Sequence, residues 1–347
     1  MISAKAPGET GADHLPAAAV LDVRDLTVRL KSRDMDITLL HGVTFALQQG
    51  DVMCLLGESG SGKSVTLRSL IRLMPPAARI AGAITIGGID IQALRPHELM
   101  SIRGSLVSMI FQEPATALDP TFTIGQQIAE TVRVHEHLSR TAARRRALDL
   151  LELVQIPSAA RRLDAYAHEL SGGLRQRAMI ALALSCRPKL LLADEPTTAL
   201  DATVQVQVLL LLRRLQREFG MATIFVTHDV GVACEIADRV AVMYAGRLVE
   251  TGPIEEVFAK PAHPYTAGLL RSVVNGQARG AVLESIPGAP PDLAALPRGC
   301  SFAPRCPHVR AACGERVPDL LPVSPGRAAR CVLVGSGERP ASAPMPA

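Results

Sequence analysis

The chain has 347 residues, 48% of them hydrophobic, and a formal net charge of +4 at pH 7. A chain of this length can bury a full core and is long enough for about two domains. Nucleic-acid-binding proteins need clustered positive charge and aromatic side chains on which bases stack. Because the charge is weak, Trp is absent and only three Tyr occur, we expect no nucleic-acid partner.

Residues 1–19 contain Pro, Gly and Asp but no apolar core of the length found in signal peptides. We expect them to form a disordered leader. The best apolar stretch, residues 178–185, is much shorter than the roughly 20 residues that span a bilayer. The chain is therefore expected in the cytosol, where disulfides are disfavoured and its seven cysteines would be reduced.

A glycine-rich octapeptide, GESGSGKS at residues 57–64, follows an apolar run that reads as a buried strand. In such a loop successive backbone N–H groups surround phosphates, the lysine reaches the outer phosphates and the last hydroxyl ligates Mg²⁺. The helix that begins at the loop adds its positive dipole end. The residues predicted to bind nucleotide here are Gly57, Ser59, Gly60, Ser61, Gly62, Lys63 and Ser64.

Two carboxylates, Asp194 and Glu195, end a second short apolar strand that starts near Lys189. A nucleotide hydrolase needs carboxylates at the end of such a strand, to hold Mg²⁺ and to activate water. Asp194 can hold the magnesium through water, and Glu195 can act as general base on the attacking water. The sequence therefore predicts hydrolysis as well as binding.

Residues 20–51 alternate apolar segments with turns, one of them at 31–36, which predicts an antiparallel β region. After Asp194 a predicted helix at 204–219 is followed by strands at 222–226 and 239–244. Helices that alternate with strands predict an α/β fold around a parallel sheet. The two nucleotide motifs lie much further apart than one strand–helix–strand crossover requires.

Apolar side chains at helical spacing fill much of that gap. Ile124, Ile128 and Val132 recur on one predicted helical face. We therefore expect an inserted helical subdomain over about residues 113–171.

Beyond Lys260 proline becomes frequent and the patterning weakens. The predicted organisation is an ATPase domain at 20–259, a loop-rich domain at 260–334 and a disordered tail at 335–347.

A third motif, Leu170-Ser171-Gly172-Gly173-Leu174, opens a predicted helix. Its hydroxyl, its backbone N–H groups and the helix dipole suit a phosphate, although one chain cannot easily fold it over its own glycine-rich loop. An ordinary helix N-cap is the alternative interpretation.

Taken together, the chain resembles the nucleotide-binding subunit of an ATP-binding cassette (ABC) transporter over about residues 20–255. The matching positions, in the order in which this family has them, are Walker A at residues 57–64, the Q-loop at Gln112, the signature at residues 171–174, Walker B with its catalytic glutamate at Asp194 and Glu195, the D-loop at Ala199, Leu200 and Asp201, and the switch histidine at His228. The resemblance implies a P-loop NTPase fold with a RecA-like core, an antiparallel β subdomain and a helical subdomain.

In this family two cassettes pack head to tail, so that each ATP lies between the Walker motifs of one chain and the signature of the other. The resemblance implies that Gln112 contacts Mg²⁺ and senses the permease, while His228 holds the γ-phosphate. One position departs from the pattern: Leu30 stands where the family usually stacks an aromatic residue on adenine.

Residues 250–331 resemble the extension of dipeptide and oligopeptide importer ATPases. Four late cysteines, Cys300, Cys306, Cys313 and Cys331, lie in a Pro-rich region with little apolar core, which favours a metal-stabilised domain. The resemblance favours a [4Fe–4S] cluster bound by the four thiolates. Zinc, and unligated or disulfide-linked cysteines, are the alternatives. We expect a structural role for this centre rather than redox sensing.

The resemblance as a whole implies a peripheral ATPase on the cytoplasmic side of the cell membrane that powers peptide uptake. Its implied partners are two transmembrane permease subunits, an extracellular peptide-binding protein and a second ATPase subunit, in a heterodimer or a homodimer. Two alternatives stay open: the same subunit serving nickel, an opine or another solute, and a soluble ABC ATPase that acts on ribosomes or DNA.

Overall fold

The computed structural model describes residues 19–31, 36–198, 200–272 and 285–336. Parts of five predictions lie outside these residues. They are residues 1–18 of the leader, residues 32–35 of the first turn, Ala199 of the D-loop, residues 273–284 of the loop-rich domain and residues 337–347 of the tail.

Strands and helices occur throughout the described residues, with the following bounds. The strands are β1 Leu21–Lys31, β2 Asp36–Leu47, β3 Val52–Leu56, β4 Ala78–Ile86, β5 Ile89–Asp90, β6 Val107–Ile110, β7 Leu190–Asp194, β8 Ala222–Thr227, β9 Arg239–Tyr244, β10 Arg247–Pro253, β11 Leu321–Ser324 and β12 Arg327–Ala329. The helices are α1 Lys63–Leu70, α2 Pro96–Ile102, α3 Pro114–Ala117, α4 Ile124–Glu136, α5 Arg140–Leu153, α6 Ala159–Arg162, α7 Gly172–Ala183, α8 Ala202–Phe219, α9 Val230–Ile236, α10 Ile254–Ala259, α11 Pro264–Arg271, α12 Ala312–Glu315 and α13 Val332–Gly335.

The main sheet has the strand order β11-β12-β10-β9-β3-β8-β7-β6. β6, β7, β8, β3 and β9 run parallel, and the remaining neighbours pair antiparallel. Every residue of strands β3, β7 and β8 is buried, and most are apolar, as expected for parallel strands covered on both faces. The predicted α/β fold is therefore confirmed.

Alternate residues of each central strand enter different cores. Val52 and Cys54 pack with the helices on one face of the sheet, whereas Met53 and Leu55 pack with the antiparallel strands on the other. This alternation follows from the two-residue period of side chains in a strand. β3, which leads into the glycine-rich loop, is therefore held between the helices on one face of the sheet and the antiparallel strands on the other.

The antiparallel sheet has the order β2-β1-β4-β5. β1 pairs with β2 from Leu21↔Leu47 to Lys31↔Asp36, in agreement with the predicted β region. The sequence analysis missed β4 and β5, which follow α1 and add two further strands to this sheet.

The helices between β6 and β7 form a packed group. Thr123 caps α4: its hydroxyl accepts from the backbone of Gln126, and the Gln126 side chain accepts from the Thr123 N–H, which is a capping box. The predicted face of Ile124, Ile128 and Val132 is buried. These helices lie where the inserted subdomain was predicted.

The carboxy-terminal region is continuous with the main sheet. β12 pairs antiparallel with β10, at Glu250↔Ala329 and Thr251↔Ala328. Beside this pairing Arg327 and Glu250 form an ion pair at 2.8 Å, with 4% and 0% of their side chains exposed. Glu250 also accepts the backbone N–H groups of Ala262 and His263. The loop-rich domain predicted from residue 260 is thus attached through shared strands and a buried ion pair.

Replacing Arg327 tests this attachment. Arg327→Met should lower the free energy of unfolding by about 3 to 5 kcal/mol, because it leaves the buried Glu250 carboxylate without its cation. Arg144→Met is the matched control. It breaks the Arg144–Asp164 pair, whose side chains are 50% and 65% exposed, and should cost much less. Equal losses of unfolding free energy in Arg327→Met and Arg144→Met, measured by urea denaturation, would contradict the structural role of the buried pair.

No helix among the described residues is both long and apolar enough to cross a membrane.

Candidate functional site

The glycine-rich loop joins the carboxyl end of β3 to α1. Gly60 and Gly62 adopt φ values of 76° and 104°, a left-handed region that favours glycine. A Cβ on Gly57 would collide with the carbonyl oxygen of Met243 and would lie 2.8 Å from Ser61 Oγ. The glycines therefore let the loop pack closely against β9 in a backbone conformation typical of phosphate-binding loops.

Lys63 is buried, and its Nζ donates to the carbonyl oxygens of Gly57 and Glu58 at 2.6 and 2.9 Å. Burial lowers the pKa of Lys63, while the carboxylates of Glu195 and Asp194 oppose this effect. The side chain is thus a cation held at the inner wall of the loop by backbone oxygens.

Asp194 ends β7 and is completely buried. Its Oδ1 accepts from Ser64 Oγ at 2.7 Å, and Arg68 Nη2 lies 3.8 Å from its Oδ2. Burial raises the pKa of Asp194, and the Ser64 hydrogen bond opposes that shift. The structure therefore brings together the hydroxyl and the carboxylate that were predicted to share a magnesium ion.

Two buried polar atoms here have no hydrogen-bond partner within the described chain: Asp194 Oδ2 and Ser61 Oγ. Buried oxygens are normally paired, because an unpaired one costs free energy. Both atoms lie where a phosphate with Mg²⁺ is expected, so the donor set fits the predicted ligand.

Glu195 follows β7 with a φ of 45°, a strained value for a residue with a side chain. Its Oε2 accepts from Gln112 Nε2 at 3.1 Å and from Thr198 Oγ1 at 2.8 Å. Its Oε1 lies 3.5 Å from His228 Nδ1. Glu195, predicted from its own motif, thus meets Gln112 and His228, which the family resemblance implied. The sequence analysis missed Thr198.

The signature residues lie on a different surface. Ser171 precedes α7 and is exposed, and its side chain makes no cap hydrogen bond. Asp201 caps α8 by accepting from the N–H of Val204, and a Cβ on Gly173 would lie 2.7 Å from Val204 Cγ1. In the described part of the chain no hydrogen bond joins Ser171, Gly172, Gly173 or Asp201 to the glycine-rich loop.

Leu30, predicted at the adenine-stacking position, is half-buried in β1 and pairs with Ile37 and Ala78. Ile37 also lines a cavity together with loop residues Glu58, Ser59, Gly60 and Ser61. Aliphatic side chains therefore lie beside the loop at this edge.

The four late cysteines are free thiols that line one small cavity. Cys300 and Cys313 are further joined by a backbone hydrogen bond of 2.8 Å. Burial raises the pKa of Cys331 to about 11. Within residues 19–31, 36–198, 200–272 and 285–336, however, no group of three or more His, Cys, Asp or Glu side chains is placed so that it could hold a metal ion.

Two contacts to the glycine-rich loop were not predicted. The Glu58 N–H donates to Tyr265 Oη, and the Glu58 carboxylate pairs with Arg305. No local sequence pattern indicates these contacts, because the partners lie more than 200 positions apart in the chain.

Comparison with known proteins places this geometry in a family. Residues 40–198 match the family model described as ABC transporter, and residues 249–313 match that of the oligopeptide/dipeptide transporter C-terminal region. The oligopeptide transport ATP-binding protein OppD of Salmonella typhimurium is 46% identical over 316 residues, covering 91% of this chain and 94% of that protein. This chain belongs to the ATPases of the oligopeptide/dipeptide ABC transporter family.

OppD of Bacillus subtilis is also 46% identical, over 88% of this chain and 86% of that protein. Among solved structures, the dimeric cassette MJ0796 bound to ADP and Pi superposes on this ABC ATPase with a TM-score of 0.61 at 29% identity, covering 67% of this chain and 98% of that one. The predicted fold and the ATPase class are thereby confirmed. The match to the C-terminal family model ends at residue 313, before Cys331.

Removing the carboxylate of Glu195 tests its role. Glu195→Gln should keep MgATP affinity and ATP-dependent dimerisation but lose turnover by at least about 100-fold, because an amide cannot take the proton of water. Glu218→Gln, an exposed substitution on α8, is the control and should leave turnover unchanged. Steady-state ATPase and gel filtration with ATP measure both effects. Unchanged hydrolysis in Glu195→Gln would contradict the assignment.

Proposed function

We propose that this ABC ATPase drives the uptake of di- and oligopeptides through a membrane permease. The observation that carries the ATPase part of the proposal is the convergence of Gln112, Glu195 and His228 beside the loop that follows β3. The relatives named for oligopeptide transport, and the match of residues 249–313 to the extension of that family, support the cargo class.

In the proposed reaction Lys63 and the backbone of residues 57–62 bind the phosphates of ATP. Mg²⁺, when bound, neutralises charge on the β- and γ-phosphates. Ser64 and Asp194 would hold it, with Gln112 as a further ligand. Glu195 takes a proton from the attacking water, while His228 holds the γ-phosphate and orients that water.

The second anion site is proposed to act between chains. Ser171, Gly172 and Gly173 are exposed or half-buried at the start of α7, and a helix N-terminus there favours a phosphate. A second, related ATPase would complete the pair. Its signature motif would lie over the ATP bound by this chain, and Ser171 of this chain would lie over the ATP bound by the second ATPase. Asp201, at the start of α8, is proposed to lie at the same interface.

The further partners are two permease subunits and an extracellular peptide-binding protein, with this chain bound at the cytoplasmic side of the membrane. The permease is expected to supply the membrane-spanning segments. Gln112 is exposed and donates a hydrogen bond to Glu195. A permease contact that moves Gln112 would therefore also change the position of Glu195, the proposed general base.

We further propose a [4Fe–4S] cluster on Cys300, Cys306, Cys313 and Cys331 as a structural element of the extension. In this structure no three of these thiols, within the described residues, are placed to hold a metal ion. The support for the cluster is therefore chemical: four free thiols line one cavity, and four thiolates are the usual ligand set of such clusters. Burial raises the pKa of Cys331, and the neighbouring Cys300, Cys306 and Cys313 raise it further, so a cationic centre would be needed to hold these groups as thiolates.

Uptake in cells tests the cargo. A strain that lacks this chain should lose import of a labelled tripeptide, and Lys63→Ala should fail to restore it. Arg145→Ala, an exposed change on α5, should restore it fully. Retention of peptide uptake, together with loss of nickel or opine uptake, would contradict the peptide assignment. Recovery of the chain with ribosomes rather than membranes would contradict the transport role.

Metal analysis tests the cluster. Protein purified without oxygen should contain about four irons and four acid-labile sulfides per chain with visible absorption, and Cys306→Ser should lose them. Cys54→Ser, at a buried position in β3, is the matched control and should keep them. Stoichiometric zinc, or no metal, would contradict the proposed cluster.

A further inference from the structure

The glycine-rich loop is tied to the carboxy-terminal extension at Glu58. Arg305 Nη1 and Nη2 donate to the two carboxylate oxygens of Glu58 at 2.7 and 3.0 Å. The Arg305 side chain is 6% exposed and that of Glu58 25%. A two-pronged, charge-assisted contact of this kind fixes orientation as well as distance.

The backbone of Glu58 is held by the extension as well. Its N–H donates to Tyr265 Oη at 2.8 Å. Tyr265 is fully buried, and its ring packs against those of Tyr244 and Phe302 at 4.6 and 5.4 Å. Burial raises the pKa of Tyr265, so its hydroxyl stays neutral.

Arg305 is itself held rigidly. Its Nε donates to the Pro287 carbonyl oxygen at 2.8 Å, and its Nη1 also donates to Tyr244 Oη at 3.3 Å. The hydrogen bond to Glu58 raises the pKa of Arg305 further above its usual range. A lysine has one charged nitrogen and cannot make this set of contacts from one position.

Glu58 connects these contacts to Lys63. The Glu58 carbonyl oxygen accepts from Lys63 Nζ at 2.9 Å. One residue therefore carries the anchor to Arg305 on its side chain, the anchor to Tyr265 on its N–H and the contact to the phosphate-binding lysine on its carbonyl. A shift of Glu58 would therefore alter one of the two carbonyl contacts that hold Lys63 Nζ.

We propose that Arg305 is a positioning residue for ATP binding, which holds the glycine-rich loop through Glu58. The inference rests on the proposed ATP chemistry but not on the peptide cargo or the metal. Arg305 directly precedes Cys306 and Phe302 lies in the same loop.

The test compares two arginines, each placed one residue before a cysteine of the cavity. Arg330 precedes Cys331, but its donors reach the carbonyl oxygens of Leu248 and Pro318 at 2.9 Å each rather than the glycine-rich loop. Arg305→Met should raise the Kd of the full-length chain for MgATP about five- to tenfold, measured by calorimetry. Arg330→Met should change it less than twofold.

A double-mutant cycle separates positioning from folding. Glu58→Gln should raise the Kd for MgATP as Arg305→Met does. The double variant should bind MgATP no more weakly than either single variant, because both substitutions remove the same Arg305–Glu58 contact. In the assembled transporter Arg305→Met should raise KM for ATP while kcat stays within twofold. Arg305→Lys should restore part of the affinity.

Three results would overturn the inference. They are an unchanged Kd in Arg305→Met, equal losses in Arg305→Met and Arg330→Met, and additive losses in the double variant. Absence of MgATP binding by the unmodified chain would instead contradict the proposed function, and the inference would fall with it. Circular dichroism of every variant shows whether it folds. If Arg305→Met does not fold, the Kd of Glu58→Gln for MgATP decides the test.

Discussion

The parallel pairing of β3, β6, β7 and β8 is the constraint on which the site depends. Parallel strands end at the same edge of a sheet, so the loops that follow them lie side by side. This edge carries the glycine-rich loop after β3, Gln112 after β6, Glu195 after β7 and His228 after β8. Short hydrogen bonds then complete the arrangement, since Ser64 reaches Asp194 and Gln112 reaches Glu195.

The parts of this protein that the sequence could predict are local. The glycine-rich loop, the carboxylates after β7 and the helical face of Ile124, Ile128 and Val132 each lie within one window of sequence, where periodicity and motif spacing are informative. The pairing of β4 with β1 was missed because β4 is exposed over most of its first half and is interrupted by Gly82, so its sequence lacks a clear alternation of apolar and polar residues. The Arg305–Glu58 contact was missed because the two partners lie 247 positions apart.

The carboxy-terminal extension is joined to the ATPase core by strand pairing and by two ion pairs. β12 continues the main sheet, Arg327 neutralises a buried glutamate of β10, and Arg305 fixes the outer turn of the nucleotide loop. The Arg327–Glu250 pair is buried, so breaking it leaves a carboxylate without its partner. The Arg305–Glu58 pair is partly exposed at Glu58, and through it the extension contacts the loop that is proposed to bind ATP.

The central claim is that the ends of β3 and β7 together form one magnesium–ATP site. The most direct measurement is the affinity for ATP, with and without Mg²⁺, of the unmodified chain and of Asp194→Asn. The account predicts that Mg²⁺ tightens binding at least tenfold in the unmodified chain and less than twofold in Asp194→Asn. The same Mg²⁺ dependence in both proteins would contradict it.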